Sequence, residues 1–261
     1  VSAEAIRFAL RRLLAEMEDK GANRSWDENE GVNEWQDHEF NGWASETGNT
    51  FIDDDLLGFM LAEAAKEEGE AGSANVRRAV LEVTRAVSLT AWSGDVTFNA
   101  ASPGATPSAQ KKGKKNPVPY GTEVHATRYQ FGFAMTPARL RDESRAAKAL
   151  SAIGALRTVA GNHGRFLFDF APEAIVIRIT DDPAPRLLYC FDTVDGGKTV
   201  HAKSLIDRIK SKDINATELT VGVSDPDSEL ALSLKEHDVA VTGVRAAASN
   251  AAKRLTAELA K

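Results

Sequence analysis

A chain of 261 residues, 43% of them hydrophobic, can hold one large or two small domains and is too apolar to stay disordered. Its lone cysteine, Cys190, excludes an internal disulfide and cannot by itself build a thiolate metal site; no apolar run approaches the roughly 18 residues of a membrane helix. A net charge of −6 argues against a nucleic-acid partner until it is divided: residues 1–75 hold 6 basic and 18 acidic side chains (net −12), residues 76–178 hold 15 and 7 (+8), and residues 179–261 hold 11 and 13 (−2). The opening residues lack a basic-then-apolar leader pattern, so a cytoplasmic protein is expected.

Ile6, Leu10, Leu13, Leu14 and Met17 fall at helical spacing and predict a helix over residues 3–18, with Ser2 capping its start and Gly21 its end. A domain rarely opens directly on such a helix, so sequence upstream of Val1 is expected. Residues 22–50 lose all periodicity and read as a long insertion anchored by Trp26, Trp35 and Trp43. The segment from Phe51 to Met60 contains Asp53-Asp54-Asp55, and a polar linker follows from Lys66 to Asn75.

Residues 80–91 alternate: Leu81, Val83, Val87 and Leu89 share one face, interrupted by Arg85, which predicts a strand with one buried face. Residues 94–122 form a Gly/Pro-containing excursion with a cationic tip at Lys111, Lys112, Lys114 and Lys115. A second strand is predicted over residues 123–135 with Tyr129, Phe131, Phe133 and Met135 on one face, then a helix from about Arg141 to Val159 ended by Gly161. Ile175, Ile177 and Ile179 mark a further strand. Weaker signals place a strand near Leu187–Phe191, a helix near Ala202–Ile209, a strand near Leu219–Val223 and a terminal helix near Val244–Leu259.

The fold class is therefore α+β. With one strand supplied ahead of Val1, the central order becomes βαββαβ, a ferredoxin-like or RNA-recognition arrangement whose first strand is missing from this chain.

Enzyme chemistry finds little support. The five histidines (His38, His125, His163, His201, His237) show no metal-ligand spacing, and no Gly-rich phosphate loop or Gly-x-Ser-x-Gly element is present. Cys190 reads as a small buried residue. Asp53, Asp54 and Asp55 could hold Mg²⁺ against a phosphodiester, but in a strand at most two would converge, so a solvated or capping role is favoured over catalysis. No cofactor and no metal site are expected.

Basic residues are more suggestive. The lysine tip sits on a hairpin excursion between two strands, well placed to grip phosphate. Arg77-Arg78 opens the first central strand, and Arg85 and Arg128 lie where an unpaired arginine in a strand core would be costly. Arg128 to Ala134 partly matches the aromatic strand of RNA-recognition motifs, although a core role for those rings is the better reading. Asn162-His163-Gly164-Arg165 offers donors in a helix-to-strand turn, where a helix C-cap is an equal alternative.

Three blocks then carry a family resemblance. The segment from Ile52 to Met60 resembles the aspartate-rich stretch of the CRISPR-associated DevR family, the repeated backbone subunit of type I (I-B-like) Cascade. Arg77-Arg78 with Val87-Ser88-Leu89 and Gly94-Asp95 resembles the next block, and Val159 to Glu173, running on to Pro185, the clearest one. The resemblance covers most of residues 2–185. It implies an RNA-recognition-like palm (residues 2–18 and 76–181), an insertion (19–75), a β-hairpin thumb (94–122) and a C-terminal extension (182–261) packing on the palm. It also implies RNA contact by Arg7, Arg77, Arg78, Asn162, His163 and Arg165, with thumb contact by Lys111, Lys112, Lys114 and Lys115. The implied partners are CRISPR RNA, the target DNA strand, neighbouring copies in a filament, and the handle-capping, large and RNA-processing subunits; no membrane is involved. The implied role is non-enzymatic. The alternatives are a type III-like subunit cutting target RNA through a Mg-dependent aspartate, a transcriptional autoregulator, and a generic single-stranded-RNA binder.

Overall fold

A computed structural model describes residues 1–63, 73–101, 118–159 and 169–261. The first helix, α1 (Ala3–Ala15), begins where Ser2 Oγ accepts the Ala5 N–H at 3.2 Å, and it buries Ile6, Ala9, Leu10, Leu13 and Leu14. Just before it, Val1 exchanges both backbone hydrogen bonds with Ala86 (3.0 and 2.9 Å).

The stretch 22–50 is not structureless. Strands β1 (Arg24–Asp27) and β2 (Val32–Trp35) form an antiparallel hairpin, with Gly31 at φ +67° in its turn. Neither strand buries a full face, so no alternation was there to read. Trp35 and Trp43 do anchor the segment, Trp35 through Phe40, whose ring stacks on Phe59 at 3.8 Å; Trp26 is exposed.

Asp53–Asp55 lie in a helix, α2 (Ile52–Leu57), not in a strand. Gly58 (φ +68°) ends it, in a corner where a Cβ would stand 2.3 Å from the Arg77 carbonyl oxygen and 2.6 Å from the Ala79 nitrogen. Strands β3 (Phe59–Glu63) and β4 (Ser73–Arg77) then pair antiparallel, so the end of the expected polar linker is strand.

The predicted strand 80–91 is broken into β5 (Leu81–Val83) and β6 (Val87–Ser88). Thr84 bonds Gly132 through both its N–H and its hydroxyl, and the chain slips by one residue. Ala86 turns inward, whereas Arg85 and Val87 face solvent. Arg85 thus never enters a core, and the alternation of the sequence spans a slip it cannot reveal. Strands β7 (Val96–Ala101) and β8 (Val118–Glu123) pair antiparallel; the lysine run between them in sequence lies outside the described residues. The predicted strand 123–135 is confined to β9 (Tyr129–Gln130), which pairs with β6, and β10 (Phe133–Met135), which pairs with β5.

Helix α3 (Arg145–Gly154) is shorter than the predicted 141–159 because Asp142 and Asp55 take up the preceding backbone N–H groups. Strand β11 (Ala174–Arg178) buries Ile175 and Ile177 as predicted. The predicted strand at Leu187–Phe191 is irregular, with Tyr189 at φ +51°; a hairpin of β12 (Asp192–Val194) and β13 (Thr199–His201) follows. Helix α4 (Lys203–Lys210), strand β14 (Leu219–Val223) and the terminal helix α6 (Val244–Leu259) match their predicted places; α5 (Glu229–Lys235) and β15 (Val241–Thr242) were not anticipated.

The α+β class holds. The expected helix–strand–strand–helix–strand order is present, but β11 ladders with β14, which in turn pairs with β15. The described strands therefore do not form one ferredoxin-like palm sheet. Two cores result, divided by β11. Ile175 and Ile177 face α1, α2, α3 and α6, while Ala174 and Val176 pack on the core of α4, α5 and β14. Helix α6 presents Ala247, Ala248, Ala251 and Ala252, and its approach is so close that a Cβ on Gly154 would come 2.5 Å from that of Ala248. The C-terminal part is thus built into the first core.

Candidate nucleic-acid interface

Helix α2 is the junction at which α1, the insertion, β4 and α3 meet, and charge holds it there. All three aspartates are buried, which overturns the solvated reading. Asp53 Oδ2 accepts from Arg11 Nε at 3.1 Å and from the Arg24 N–H at 3.2 Å, and Oδ1 from the Asn23 N–H at 2.7 Å. Asp55 Oδ1 accepts from Arg77 Nη2 at 2.5 Å, and Oδ2 from Arg145 Nη1 and the Asp142 N–H at 3.0 and 3.1 Å. The backbone N–H of Arg141 is shared between both Asp55 oxygens.

Arg145 is itself buried and saturated: it donates to Glu18, to both Thr50 oxygens and to Asp55 at 2.7–3.2 Å. Burial opposes its charge, but Glu18 and Asp55 outweigh that and hold its pKa above the ordinary value. Such pairs are costly to break, because the partner left behind is a buried, uncompensated charge.

Asp54 differs from its neighbours. Among the described residues only Asn23 Nδ2 donates to it, at 2.9 Å, and the buried Trp43 indole N–H faces it without closing a hydrogen bond of normal geometry. Burial, then the Asp53 charge, push its pKa up to about 7; Asn23, Trp43 and Arg11 offset this only partly.

The sequence-predicted arginines gather around the exit of this helix. Arg7 donates Nη2 to the Leu57 carbonyl, and its Nε is buried without a partner among the described residues. Arg77, besides Asp55, donates to the Arg139 carbonyl at 3.1 Å and lies 4.2 Å over the Trp43 ring, which Arg141 also covers. Arg78 lies beneath Gly58 and projects outward, with its Nη2 on Glu82 at 2.7 Å and its side chain 74% exposed. Arg128 pairs with Glu173 at 2.6 Å and donates to the Gly197 carbonyl, so its charge is compensated. Lys111, Lys112, Lys114, Lys115, Asn162, His163 and Arg165 lie outside the described residues.

Arg11, Arg24, Arg141 and Arg145 escaped the sequence reading. The only signal was the i,i+4 spacing of Arg7 and Arg11 on one face of α1. Phe131, Phe133 and Met135 pack against the first core, in keeping with the core reading. Cys190 is buried, and burial pushes its thiol up to about 11. Among the described residues no group of three or more His, Cys, Asp or Glu is arranged to hold a metal ion, and no helix is long and apolar enough to cross a membrane.

A buried Ile-Asp-Asp-Asp helix, a following Arg-Arg corner and a paired β7–β8 ladder thus meet in one α+β chain. The family model for the CRISPR-associated negative auto-regulator DevR/Csa2 matches residues 2–148. A relative from Myxococcus xanthus (strain DK1622), the CRISPR-associated protein Cas7/Cst2/DevR, is 56% identical over 261 residues, covering 98% of this chain and 84% of the relative. The chain belongs to the CRISPR-associated DevR family, as a Cas7-type subunit.

Proposed function

We propose that this protein is the repeated backbone subunit of a type I Cascade effector, polymerising along CRISPR RNA, gripping its phosphates and presenting the guide to a target DNA strand in antiviral defence. The observation that carries this reading is the convergence of Arg7, Arg77 and Arg78 on the Leu57–Gly58 corner, in a chain of this family whose middle third is net basic. Asp55 and Trp43 fix the direction of Arg77, and the Arg7 hydrogen bond to Leu57 ties the first helix to the same corner. The lysine tip and Asn162, His163 and Arg165 supply further donors in this reading. The opposed charges of residues 1–75 and 76–178 suit head-to-tail stacking of copies. The other Cascade subunits complete the assembly, in the cytoplasm.

The proposed role is not enzymatic. Asp53 and Asp55 are each engaged by arginine and by backbone N–H groups, which supports a structural use of these carboxylates over metal-dependent RNA cleavage. Sequencing the RNA that copurifies with the protein tests the first claim: CRISPR-derived guides are expected, and bulk cellular RNA or none would overturn it. Incubating the loaded complex with complementary RNA and Mg²⁺ tests the second, with intact RNA expected and regularly spaced cuts decisive against it.

A further inference from the structure

The β1–β2 hairpin belongs to the acidic segment of the chain, yet its register sorts its side chains by chemistry. Arg24 lies opposite Trp35 and Trp26 opposite Asn33, so these four share one face. Ser25 opposite Glu34 and Asp27 opposite Val32 make up the other. The first face carries no carboxylate; Glu28 and Glu30 sit in the turn, where the Asp27 carboxylate caps backbone N–H groups.

The Arg24 guanidinium lies 5.4 Å over the Trp35 ring and has no carboxylate partner among the described residues. Trp35 is held in turn by edge contacts with His38 and Phe40, which makes it a fixed platform. Trp26, two residues along the same face, is 45% exposed. Asp53 Oδ2 accepts from the Arg11 guanidinium and from the Arg24 backbone N–H, and Arg7 lies one turn before Arg11 on α1. The Arg7, Arg11 and Arg24 guanidinium groups thus lie close enough to repel one another. Their mutual repulsion adds to burial in holding Arg7 and Arg11 below the ordinary arginine pKa. A surplus of positive charge beside an exposed indole is how proteins hold a single-stranded nucleic acid, with phosphates on the cations and bases on the rings.

We infer that this face of the β1–β2 hairpin is a docking surface for single-stranded RNA, with Trp26 stacking on a base and Arg24 and Arg7 holding adjoining phosphates. It rests on the RNA-binding reading above and adds to it a contact from the insertion, which the charge of residues 1–75 conceals. Arg11 and Asp53 are positioning residues, and Trp35 orients the Arg24 guanidinium.

The test is fluorescence anisotropy of a labelled single-stranded RNA with the full chain over a range of salt, alongside tryptophan fluorescence. Trp26→Ala is expected to weaken binding at least about 5-fold, Trp26→Phe to keep most of it, and the indole quenching on RNA addition to fall in both. Arg24→Ala should weaken binding and lower the slope of log K against log[salt] by about 0.7, the loss of one phosphate contact on a single strand, while Glu34→Gln on the opposite face should leave affinity unchanged. Thermal melts check that each variant folds. Wild-type binding with unaltered Trp26→Ala and Arg24→Ala affinity would overturn the site but not the RNA-binding reading, whereas a wild type that binds no RNA would remove that reading itself. Lost self-association with RNA affinity intact would assign the face to a second copy of the chain and overturn the proposal.

Discussion

Replacing Asp54 by asparagine should stabilise the protein, and by an amount that grows with pH. Asp54 is 3% exposed, has no cation bound to it among the described residues, and shares a short helix with Asp53. Its pKa rises from 3.8 in the ordinary carboxyl to about 7 in the folded chain. The sign follows from proton uptake. Between these two values the folded state binds the proton that the unfolded state releases, so stability is fully present below about 4 and falls as pH rises to about 7. A tenfold change in proton affinity is about 1.4 kcal/mol, so the full loss approaches about 4 kcal/mol, of which about 2 kcal/mol falls between pH 5.5 and 8.5. Asparagine cannot ionise, and its carbonyl still accepts from Asn23. Urea unfolding of both proteins across that pH range is the assay. The difference in unfolding free energy should widen by about 2 kcal/mol from the acid to the alkaline end. Parallel curves, or a variant that loses ground as pH rises, would mean that Asp54 is ionised throughout and paired with a cation.

Arg145→Ala should cost about 3–5 kcal/mol in urea unfolding, because Asp55 and Glu18 are left buried with only Arg77 and Lys148 opposite them; a loss under about 1 kcal/mol would show that those two cations or water suffice. Gly58→Ala should cost more than about 1 kcal/mol in the same assay, since the new Cβ meets backbone 2.3 Å away at a left-handed φ. Replacing Lys111, Lys112, Lys114 and Lys115 together by alanine should weaken assembly on RNA and lower the salt slope by up to about 3, as read from anisotropy at several salt concentrations; an unchanged slope would remove these lysines from the RNA contact.

How much of the fold was legible depends on whether burial alternated cleanly. Leu219–Val223 and Val244–Leu259 fell where expected because each packs one continuous face, the strand against α4 and α5, the helix through alanines against α3. The strand at 80–91 did not, because a one-residue slip at Thr84–Ala86 exchanges the inner and outer faces while leaving the apolar count intact. Hairpin β1–β2 was invisible for the opposite reason. Its faces differ in chemistry more than in burial, and a periodicity of hydrophobicity does not register arginine opposite tryptophan.

The site was legible in residue type and obscure in geometry. Arg7, Arg77 and Arg78 stand out in the sequence, but their convergence requires that α2 be a helix with a glycine corner, and three consecutive aspartates give no local reason to expect a buried helix. Propensity alone leaves such a run at the surface, where its charges are solvated. Long-range arginines reverse that outcome: Arg11 lies 42 residues from Asp53, and Arg145 lies 90 residues from Asp55. These pairs join α2 to α1 and α3, elements distant in the chain, so no local signal reports that the acidic helix is buried. The consequence for RNA binding is direct. Arg7 and Arg77 are hydrogen-bonded to the very helix that these pairs hold, so variants that loosen Asp55 or Arg145 should lose RNA affinity together with stability, whereas variants of Trp26 or Arg24 should separate the two.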